Sequence, residues 1–392
     1  MRIAFYAPLK APDSPVPSGD RRIARLLIRA LESCGHDVAL LSRFRAFEGG
    51  GDAARAKRLR AAGLRLGARA ARRLRARPAG ERPEAMFTYH VYDKAPDWIG
   101  PQVAAALDIP YLVCEATLNR ARAKGALEIG YHGTREALAA ADAVLELNPA
   151  DRPEVAAALK PGATIWQLAP FLDDSEMPAA AAVPPRGPVR AKLAAAHGLA
   201  AELPWLLSVA MMRPGDKLKS YRIMAEALSR LTDRPWQLLV AGDGPARAEV
   251  EATFRPLGRD RVRFLGLREG DELAELYAAC DIFAWPAVNE ALGMAILEAQ
   301  AAGLPAVAGA RAAIATIIED GVTGMLTPEG DGAAFGAALA LLFDAPDRAA
   351  EMGRAARAKA RRQHGIAAAS KTLNAALSAA VRHRPDSIRE TA

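Results

Sequence analysis

Short apolar runs alternate with longer amphipathic stretches along this 392-residue chain. The short runs are bounded by turn-forming residues and predict buried β-strands, whereas the longer stretches repeat their apolar residues at helical spacing. The first predicted helix carries its apolar residues on one face: Ile23, Leu26, Leu27, Ala30 and Leu31. Strands and helices that alternate in this way predict an α/β protein with parallel, doubly wound sheets.

The alternation comes in two series. The first predicts the strands RIAFYAPL, DVALLS, AMFTYH, PYLVCE and AVLELN, and the second predicts WLLSVA, WQLLVAG, RVRFLG, DIFAWP, PAVAGA and TGMLTP. A proline- and alanine-rich stretch with weak periodicity separates them, which is typical of a linker. We therefore predict an N-terminal domain over residues 1–172, a linker region over 173–203, a C-terminal domain over 204–366, and a C-terminal helix and tail over 367–392.

Composition narrows the class of protein. Hydrophobic residues make up 51% of the chain, so a globular protein is expected. The three cysteines, Cys34, Cys114 and Cys280, lie far apart, which argues against a disulfide framework or a zinc site and suits a reducing compartment. The N-terminus has no long apolar segment typical of a signal peptide, and no apolar stretch reaches the roughly 18 residues of a membrane span. We expect a cytoplasmic protein.

Basic residues follow the first strand of the second series. Arg213 comes just after this strand and Lys219 at the beginning of the next helix, with Lys217 between them. The N-terminus of a helix attracts anions through its free amides and its dipole, and arginine can hold a phosphate with two hydrogen bonds. A phosphate site and a solvated basic loop both remain open at this point.

Glycines follow strands in both series. Gly242, the last residue of WQLLVAG, and Gly244 form a turn, and Gly19 and Asp20 precede the first helix. Glycine lets the backbone turn close to a ligand, although many strand-to-helix turns use it. Neither turn has the GxGxxG pattern, so a nicotinamide fingerprint is absent.

Two glutamates eight positions apart lie around the beginning of a predicted helix. Glu290 precedes this helix, which is expected to begin near Ala291 or Leu292, and Glu298 lies about two turns into it. Gly293 permits close approach to the free amides of the first turn. The helical rise separates the two carboxylates by roughly 12 Å, whereas the pair in a glycosidase is separated by roughly 5 to 9.5 Å. Two separate hydrogen-bonding roles are therefore predicted.

Together these residues resemble the retaining glycosyltransferases of family 4. Four motifs stand in the family's order and spacing: Arg213-x5-Lys219, Gly242-Asp243-Gly244-Pro245, Glu290-x7-Glu298 and the DGVTGML stretch Asp320–Leu326. The N-terminal half matches only in outline, through the glycine loop at Gly19. The resemblance implies the GT-B fold, in which two doubly wound Rossmann-like domains face a cleft and the C-terminal helix crosses back to the first domain.

The resemblance also implies roles for individual residues. The implied catalytic residues are Arg213 and Lys219, which would hold the diphosphate of a nucleotide-sugar donor, and Glu290, which would contact the sugar. The implied donor-binding residues are Gly19, Gly242, Gly244, Leu292, Gly293, Met294 and Glu298, the last of them at the ribose. The reaction would transfer a glycosyl group with retained anomeric configuration by positioning and electrostatic stabilisation of the leaving diphosphate. No cofactor and no metal are implied.

Three residues of the N-terminal half are candidates for the sugar or acceptor side: Asp20, His90 and Glu115. Many family members carry a histidine after the fourth strand of the first domain, where this chain has Glu115. His90 follows a different strand, and a purely structural role for it is equally open. The chain also has Ser220 where the family often has glycine, and residues 312–316 where it often has GGxPE. The identities of the sugar and the acceptor therefore stay open. We expect a glycan or a lipid-linked acceptor of cell-envelope synthesis.

The formal charge of +7 is concentrated between residues 43 and 82, where thirteen basic residues stand against three acidic ones. Leucines are mixed with the arginines. A solvated helix or loop, a surface for an anionic membrane, and a surface for an anionic acceptor are all open interpretations. The membrane interpretation predicts a peripheral protein on the inner face of the cytoplasmic membrane. Nucleic acid is not an expected partner, because the segment lacks aromatic residues for base stacking.

Other functions on the same fold remain as alternatives. One is a catalytically decayed GT-B scaffold or binding protein, and another is a nucleotide-sugar epimerase. A sugar phosphorylase would need a lysine site for pyridoxal phosphate and a longer chain. The presence of all four charged motif residues argues against decay, and nucleotide binding would separate an enzyme from a scaffold.

Overall fold

A computed structural model describes residues 1–16, 18–173 and 186–382 of the chain. The strands of this part are β1 Arg2–Tyr6, β2 Asp37–Ser42, β3 Ala85–Tyr92, β4 Tyr111–Thr117, β5 Ala143–Glu146, β6 Thr164–Gln167, β7 Trp205–Val209, β8 Gln237–Ala241, β9 Val262–Gly266, β10 Ile282–Trp285, β11 Ala306–Gly309 and β12 Gly324–Thr327. Its α-helices are α1 Gly19–Glu32, α2 Ala53–Arg75, α3 Gly100–Leu107, α4 Glu128–Ala140, α5 Arg152–Ala156, α6 Arg186–His197, α7 Asp216–Ser229, α8 Arg247–Phe254, α9 Gly270–Ala279, α10 Met294–Ala302, α11 Ala312–Ile317, α12 Gly332–Asp344, α13 Pro346–Gln363 and α14 Ile366–Arg382. None of the helices described is long and apolar enough to cross a bilayer.

The first compact unit comprises Met1–Leu168 and the C-terminal helix α14. Its six strands form a parallel sheet in the order β2-β1-β3-β4-β5-β6. The five strands predicted for this half are present. The side chains of β1, β3, β4 and β5 are mostly buried, whereas those of the edge strand β2 are half-buried or exposed. The edge strand β6 was not predicted, since it has only four residues and its side chains are half-buried or exposed.

The C-terminal helix belongs to this first unit, as the resemblance implies. Helix α14 packs against α1, where the Ser370 hydroxyl donates to the Ala30 carbonyl at 2.8 Å and lies 2.6 Å from the Ser33 hydroxyl. The alanine- and arginine-rich sequence from about Asp347 to His383 predicts helix, and the structure has two helices there, α13 and α14. They are separated at His364, whose Nδ1 lies 2.7 Å from the Pro170 carbonyl. His383 lies outside the described residues.

The second compact unit comprises Ala169–Gly365. Its parallel sheet has the order β12-β11-β10-β7-β8-β9, and all six strands predicted for this half are present. The central strands β10 and β7 are apolar except for the buried Ser208, because helices cover both faces of a parallel sheet. Phe283 of β10, for example, is completely buried.

The predicted linker region, 173–203, differs from the structure in one respect. Residues 174–185 lie outside the described part, but Arg186–His197 form α6, which packs against α9 in the second unit. Val189 and Leu193 are buried there, and Arg190 donates to the Ala279 carbonyl at 2.6 Å. This helix was not predicted, because its sequence is rich in alanine and only two large apolar residues lie on its buried face.

Each sheet has one point at which its strand order reverses. This point lies between β1 and β3 in the first unit and between β7 and β10 in the second. The connections that follow two such strands run to opposite faces of the sheet, which opens a crevice at their carboxyl ends where ligands of α/β proteins bind.

Candidate functional site

The loop between β7 and α7 exposes two cations at the switch point of the second unit. Arg213 lies in this loop with an exposed side chain, and no described residue forms an ion pair or side-chain hydrogen bond with it. Lys219 lies in the first turn of α7, is 64% exposed, and has only Asp216 nearby, with 3.4 Å between Nζ and Oδ1. Within the described part of the chain, no side chain caps the first amides of this helix. Two cations and free amides at one helix N-terminus favour the binding of an anion.

Lys217 occupies a different environment from these two cations. Its Nζ donates to Oε2 of Glu290 at 2.5 Å, across 73 residues of sequence. The same oxygen accepts the indole N–H of Trp285 at 3.1 Å. The first glutamate of the E-x7-E motif is thus already held by protein groups, and sequence analysis did not anticipate either contact.

The loop that carries Glu290 is strained and anchored to α7. Ala287 and Asn289 have left-handed backbones, with φ of 55° and 47°, which costs about 1 kcal/mol or more at each non-glycine residue. The Ser220 hydroxyl accepts the amide of Val288 at 3.0 Å, and the amide group of Asn289 donates to Asp216 at 2.9 Å. Ser220, which departs from the family pattern, therefore ties the two loops of the switch point together.

Helix α10 begins at Met294, two or three residues later than expected. Gly293 is its N-cap with a left-handed φ of 69°, so Ala291 and Leu292 stay in the loop. A Cβ on Gly293 would lie 2.4 Å from Cδ1 of Ile314. The glycine is required both by the backbone angle and by its neighbour in α11. Among the described residues, no side chain caps the first amides of α10. The implied phosphate or sugar contacts of this segment stay a prediction.

Glu298 points toward α9 within the second unit. Its Oε2 accepts the hydroxyl of Tyr277, which is 5% exposed, at 2.9 Å. Glu290 and Glu298 thus have different partners, Lys217 and Trp285 for the first and Tyr277 for the second. The two separate hydrogen-bonding roles toward a ligand stay a prediction.

Gly242 and Gly244 allow two loops of the second unit to lie against each other. Their φ values are 147° and 154°, and a Cβ would lie 2.0 Å from the Ala210 carbonyl oxygen at Gly242 and 2.3 Å from that of Met212 at Gly244. The amide of Met212 donates to the carbonyl of Asp243 at 2.9 Å. The turn therefore supports the backbone next to Arg213, whether or not a donor also contacts it.

Gly244→Ala is expected to destabilise the second unit by about 2 kcal/mol or more, because alanine brings both a strained φ and a clash with a backbone carbonyl. Gly258→Ala is the matched control, since Gly258 has a positive φ of 86° but no atom near the position of a Cβ. Thermal unfolding of both variants measures the difference. Equal midpoints would show that the close approach of the two loops is not rigid.

Asp20 and His90 meet at the switch point of the first unit. Asp20 lies in the first turn of α1, which follows β1, and His90 lies in β3, with 2.8 Å between Oδ1 and Nδ1. Burial opposes ionisation of Asp20, but the hydrogen bond and charge of His90 lower its pKa below the ordinary value. A proton on Nδ1 that is held by the carboxylate leaves Nε2 for another partner. Gly19 precedes Asp20, and a Cβ there would meet open space.

Glu115 lies beside His90 on the neighbouring strand. Both residues have left-handed backbones, with φ of 60° and 62°, and both fall between the paired residues Tyr89–Cys114 and Val91–Ala116. The Glu115 carboxylate accepts the amide of Leu147 at 2.9 Å. Burial raises its pKa to about 7, although the positive charge of His90 opposes this rise. The structure thus brings the three N-terminal candidates to one sheet edge.

The raised pKa of Glu115 makes a prediction about stability. The Glu115 carboxyl ionises near pH 4.5 in the unfolded chain and only near pH 7 in the folded protein. Its contribution to the free energy of unfolding is therefore fully present below pH 4.5 and is lost as the pH rises to 7. Glu115→Gln removes this loss and should stabilise the protein at pH 8 by up to about 3 kcal/mol. Denaturant unfolding at pH 4 is the internal control, where variant and wild type should nearly coincide. A constant difference across this range would contradict the shift.

The basic segment forms helix α2, which packs its small and apolar residues inward. Gly63 lies against Trp98 and Gly67 against Gln102, and Leu74 is 5% exposed. The helix contains nine basic residues and no acidic one. Within the described part of the chain, none of these nine forms an ion pair. The outward face is therefore a cationic surface. Of the leucines in this helix, Leu74 is buried, Leu59 and Leu64 are half-buried, and Leu66 is exposed.

The described residues contain no group of three or more histidine, cysteine, aspartate or glutamate side chains that could hold a metal ion.

Comparison with known proteins agrees with this geometry. Residues 204–345 match the sequence model of the family Glycosyl transferases group 1. A D-inositol 3-phosphate glycosyltransferase of Corynebacterium kroppenstedtii is 38% identical over 138 residues, which cover 34% of this chain and 31% of the relative. The chain thus matches about a third of that relative's length.

Solved structures resemble the chain over nearly its whole length. Sucrose-phosphate synthase from Thermosynechococcus elongatus has a TM-score of 0.69 and 19% identity, covering 95% of this chain and 97% of its own. HepE of Anabaena in complex with UDP-glucose has a TM-score of 0.64 and 18% identity, covering 96% and 99%. The expected fold class is confirmed: the chain has the two-domain α/β fold of GT-B glycosyltransferases, and residues 204–345 form a glycosyl transferases group 1 domain.

Proposed function

We propose that this protein is a retaining glycosyltransferase of family 4. It moves a sugar from a nucleotide-sugar donor to a glycan or lipid-linked acceptor in cell-envelope synthesis. The observation that carries this proposal is the switch point of the second unit. There, two uncapped helix N-termini, two exposed cations and two differently held glutamates follow the adjacent strands β7 and β10.

In this reaction Arg213 and Lys219 bind the donor diphosphate. Glu290 accepts hydrogen bonds from the sugar hydroxyls, and Glu298 accepts them from the ribose. The bond between the anomeric carbon and the phosphate oxygen breaks while the acceptor oxygen bonds to the same face of the sugar. The departing phosphate takes the acceptor's proton. The protein contributes orientation and stabilises the charge that develops on the diphosphate, and no cofactor or metal takes part.

Several features of relatives support a nucleotide sugar as donor. HepE was solved with UDP-glucose, and its fold is shared by this chain. The matched family segment, 204–345, contains all four motif residues. The alternatives of a decayed scaffold or an epimerase have no observation of their own in the described structure.

Donor hydrolysis tests the proposal. The purified protein is incubated with UDP-glucose, GDP-mannose and ADP-glucose, and proton NMR follows the released sugar and its anomeric configuration. One donor should be consumed, and the first sugar released should keep the anomeric configuration of the donor. Release of the opposite anomer would contradict retention, and the appearance of an epimerised nucleotide sugar would favour the epimerase.

We further propose that helix α2 holds the protein on the anionic inner face of the cytoplasmic membrane. The attraction is electrostatic, because its exposed face is cationic and its larger apolar residues mostly pack on the first unit. Each basic residue near an anionic bilayer contributes roughly 1 kcal/mol. A lipid-linked acceptor would be reached from this position.

Replacing Arg69, Arg72, Arg73 and Arg75 together by glutamine should weaken binding to phosphatidylglycerol vesicles by about two orders of magnitude or more. Co-sedimentation measures this, and binding of wild type should also fall as salt rises, because exposed charges are screened over about 8 to 10 Å at physiological ionic strength. The matched control replaces Arg348, Arg354, Arg361 and Arg362 of α13, which removes the same charge from the second unit. Equal loss in both variants, or a wild type that stays in the supernatant at low salt, would leave α2 as a solvated helix.

A further inference from the structure

Glu290 is held through only one of its two carboxylate oxygens. Oε2 accepts from Lys217 at 2.5 Å and from the Trp285 indole at 3.1 Å, while no described residue bonds to Oε1. The side chain is 17% exposed. Since a carboxylate can accept about four hydrogen bonds, Oε1 is the atom left for a ligand.

The two groups that hold Oε2 are themselves fixed. Trp285 is 2% exposed and meets the Tyr221 ring edge to face, with 5.0 Å between ring centres. The Tyr221 hydroxyl donates to the Ala210 carbonyl at 2.8 Å, in the loop that leads to Arg213. The Lys217 ammonium lies 5.2 Å from the centre of the Trp285 ring, within the range of a cation–π interaction. The carboxylate is therefore oriented by a supported pair of donors, as is typical of residues around a binding site.

The three cations of the β7–α7 region have different partners. Lys217 is bonded to Glu290, whereas Arg213 has no side-chain partner among the described residues and Lys219 has only a 3.4 Å contact with Asp216. Lys217 also lies outside the Arg-x5-Lys pattern. Its charge compensates a carboxylate of the protein and leaves the other two cations for a diphosphate.

We propose that Lys217 and Trp285 are positioning residues that hold Glu290 with Oε1 directed to the sugar of the donor. This inference rests on the proposed function. Lys217 acts through Glu290, so its removal should matter only for ligands that carry a sugar. A lysine that contacts the diphosphate directly would affect nucleotides with and without a sugar alike.

A double-mutant cycle tests this division. Lys217→Met, Glu290→Gln and the double variant are titrated calorimetrically with UDP, GDP and ADP and with UDP-glucose, GDP-mannose and ADP-glucose. Each single variant should weaken binding of the nucleotide sugar about 10-fold, and the double variant should be no weaker than Glu290→Gln. Affinity for the nucleoside diphosphate should change little, and Lys217→Arg should recover part of the loss. Additive losses, or an equal loss for the nucleoside diphosphate, would overturn the positioning role.

A second readout needs no ligand. The Trp285 indole N–H resonance, assigned through Trp285→Phe, should move in both Lys217→Met and Glu290→Gln while the other indole resonances stay in place. A wild type that binds none of the three donors contradicts the proposed function and the positioning role together. Binding by wild type with an unmoved indole resonance in both variants contradicts the positioning role alone.

Discussion

Arg213→Ala and Lys219→Ala are each expected to reduce the rate of glycosyl transfer roughly 10- to 150-fold, and the double variant should lose most activity. Each change removes charge-assisted hydrogen bonds to the diphosphate that are worth about 1.5 to 3 kcal/mol. Both side chains are exposed and make no strong contact with described residues, so the fold should be unchanged. Steady-state kinetics on the donor identified by hydrolysis, with circular dichroism for the fold, measure the effect.

Arg222→Ala is the matched control for these variants. Arg222 lies on the same helix, is 60% exposed, and forms a surface ion pair with Glu249 at 3.6 Å. It should retain the wild-type fold and turnover, because a surface ion pair of this kind contributes little to stability. Wild-type turnover in the Arg213→Ala, Lys219→Ala double variant would show that the anion site is assigned to the wrong residues.

Glu298→Ala should weaken nucleotide binding about 10-fold, and Glu290→Gln should slow transfer by a similar factor with nucleotide affinity nearly unchanged. The reason is that the two carboxylates have different partners and are expected to meet different parts of the donor. Calorimetry with the nucleoside diphosphate and steady-state kinetics with the nucleotide sugar separate the two effects.

Tyr277→Phe refines this comparison. It removes the hydroxyl that bonds to Glu298 at 2.9 Å and leaves the Glu290 contacts in place. Like Glu298→Ala, it should weaken nucleotide binding, but less strongly. It should not slow transfer in the way expected for Glu290→Gln. If Glu290→Gln and Glu298→Ala altered binding and turnover in the same way, the two-role interpretation of the E-x7-E motif would be wrong.

Most of the fold could be predicted from the sequence, because its central strands are short apolar runs buried by helices. Each exception has its own reason. Strand β6 is a short edge strand with partly exposed side chains, and α6 is too rich in alanine to show its buried face. The break between α13 and α14 depends on His364 and the Pro170 carbonyl, which are far apart in sequence.

The candidate site could be predicted only where its residues follow a local spacing. The Arg-x5-Lys and E-x7-E patterns located the loops after β7 and β10, but not the bond between Lys217 and Glu290, which joins residues 73 positions apart. The left-handed backbones of His90 and Glu115 were likewise not visible, because a positive φ is uncommon for any non-glycine residue. Gly242 was predicted as a ligand turn, and the structure adds a packing requirement that any Cβ would violate.

The central claim is that the loops after β7 and β10 bind a nucleotide sugar. Calorimetry tests this claim most directly, with UDP, GDP and ADP titrated into the wild type and into the Arg213→Ala, Lys219→Ala double variant. One nucleotide should bind the wild type, and its affinity should fall by about two orders of magnitude or more in the double variant. If no nucleotide binds the wild type, or if the double variant binds with unchanged affinity, the claim is contradicted.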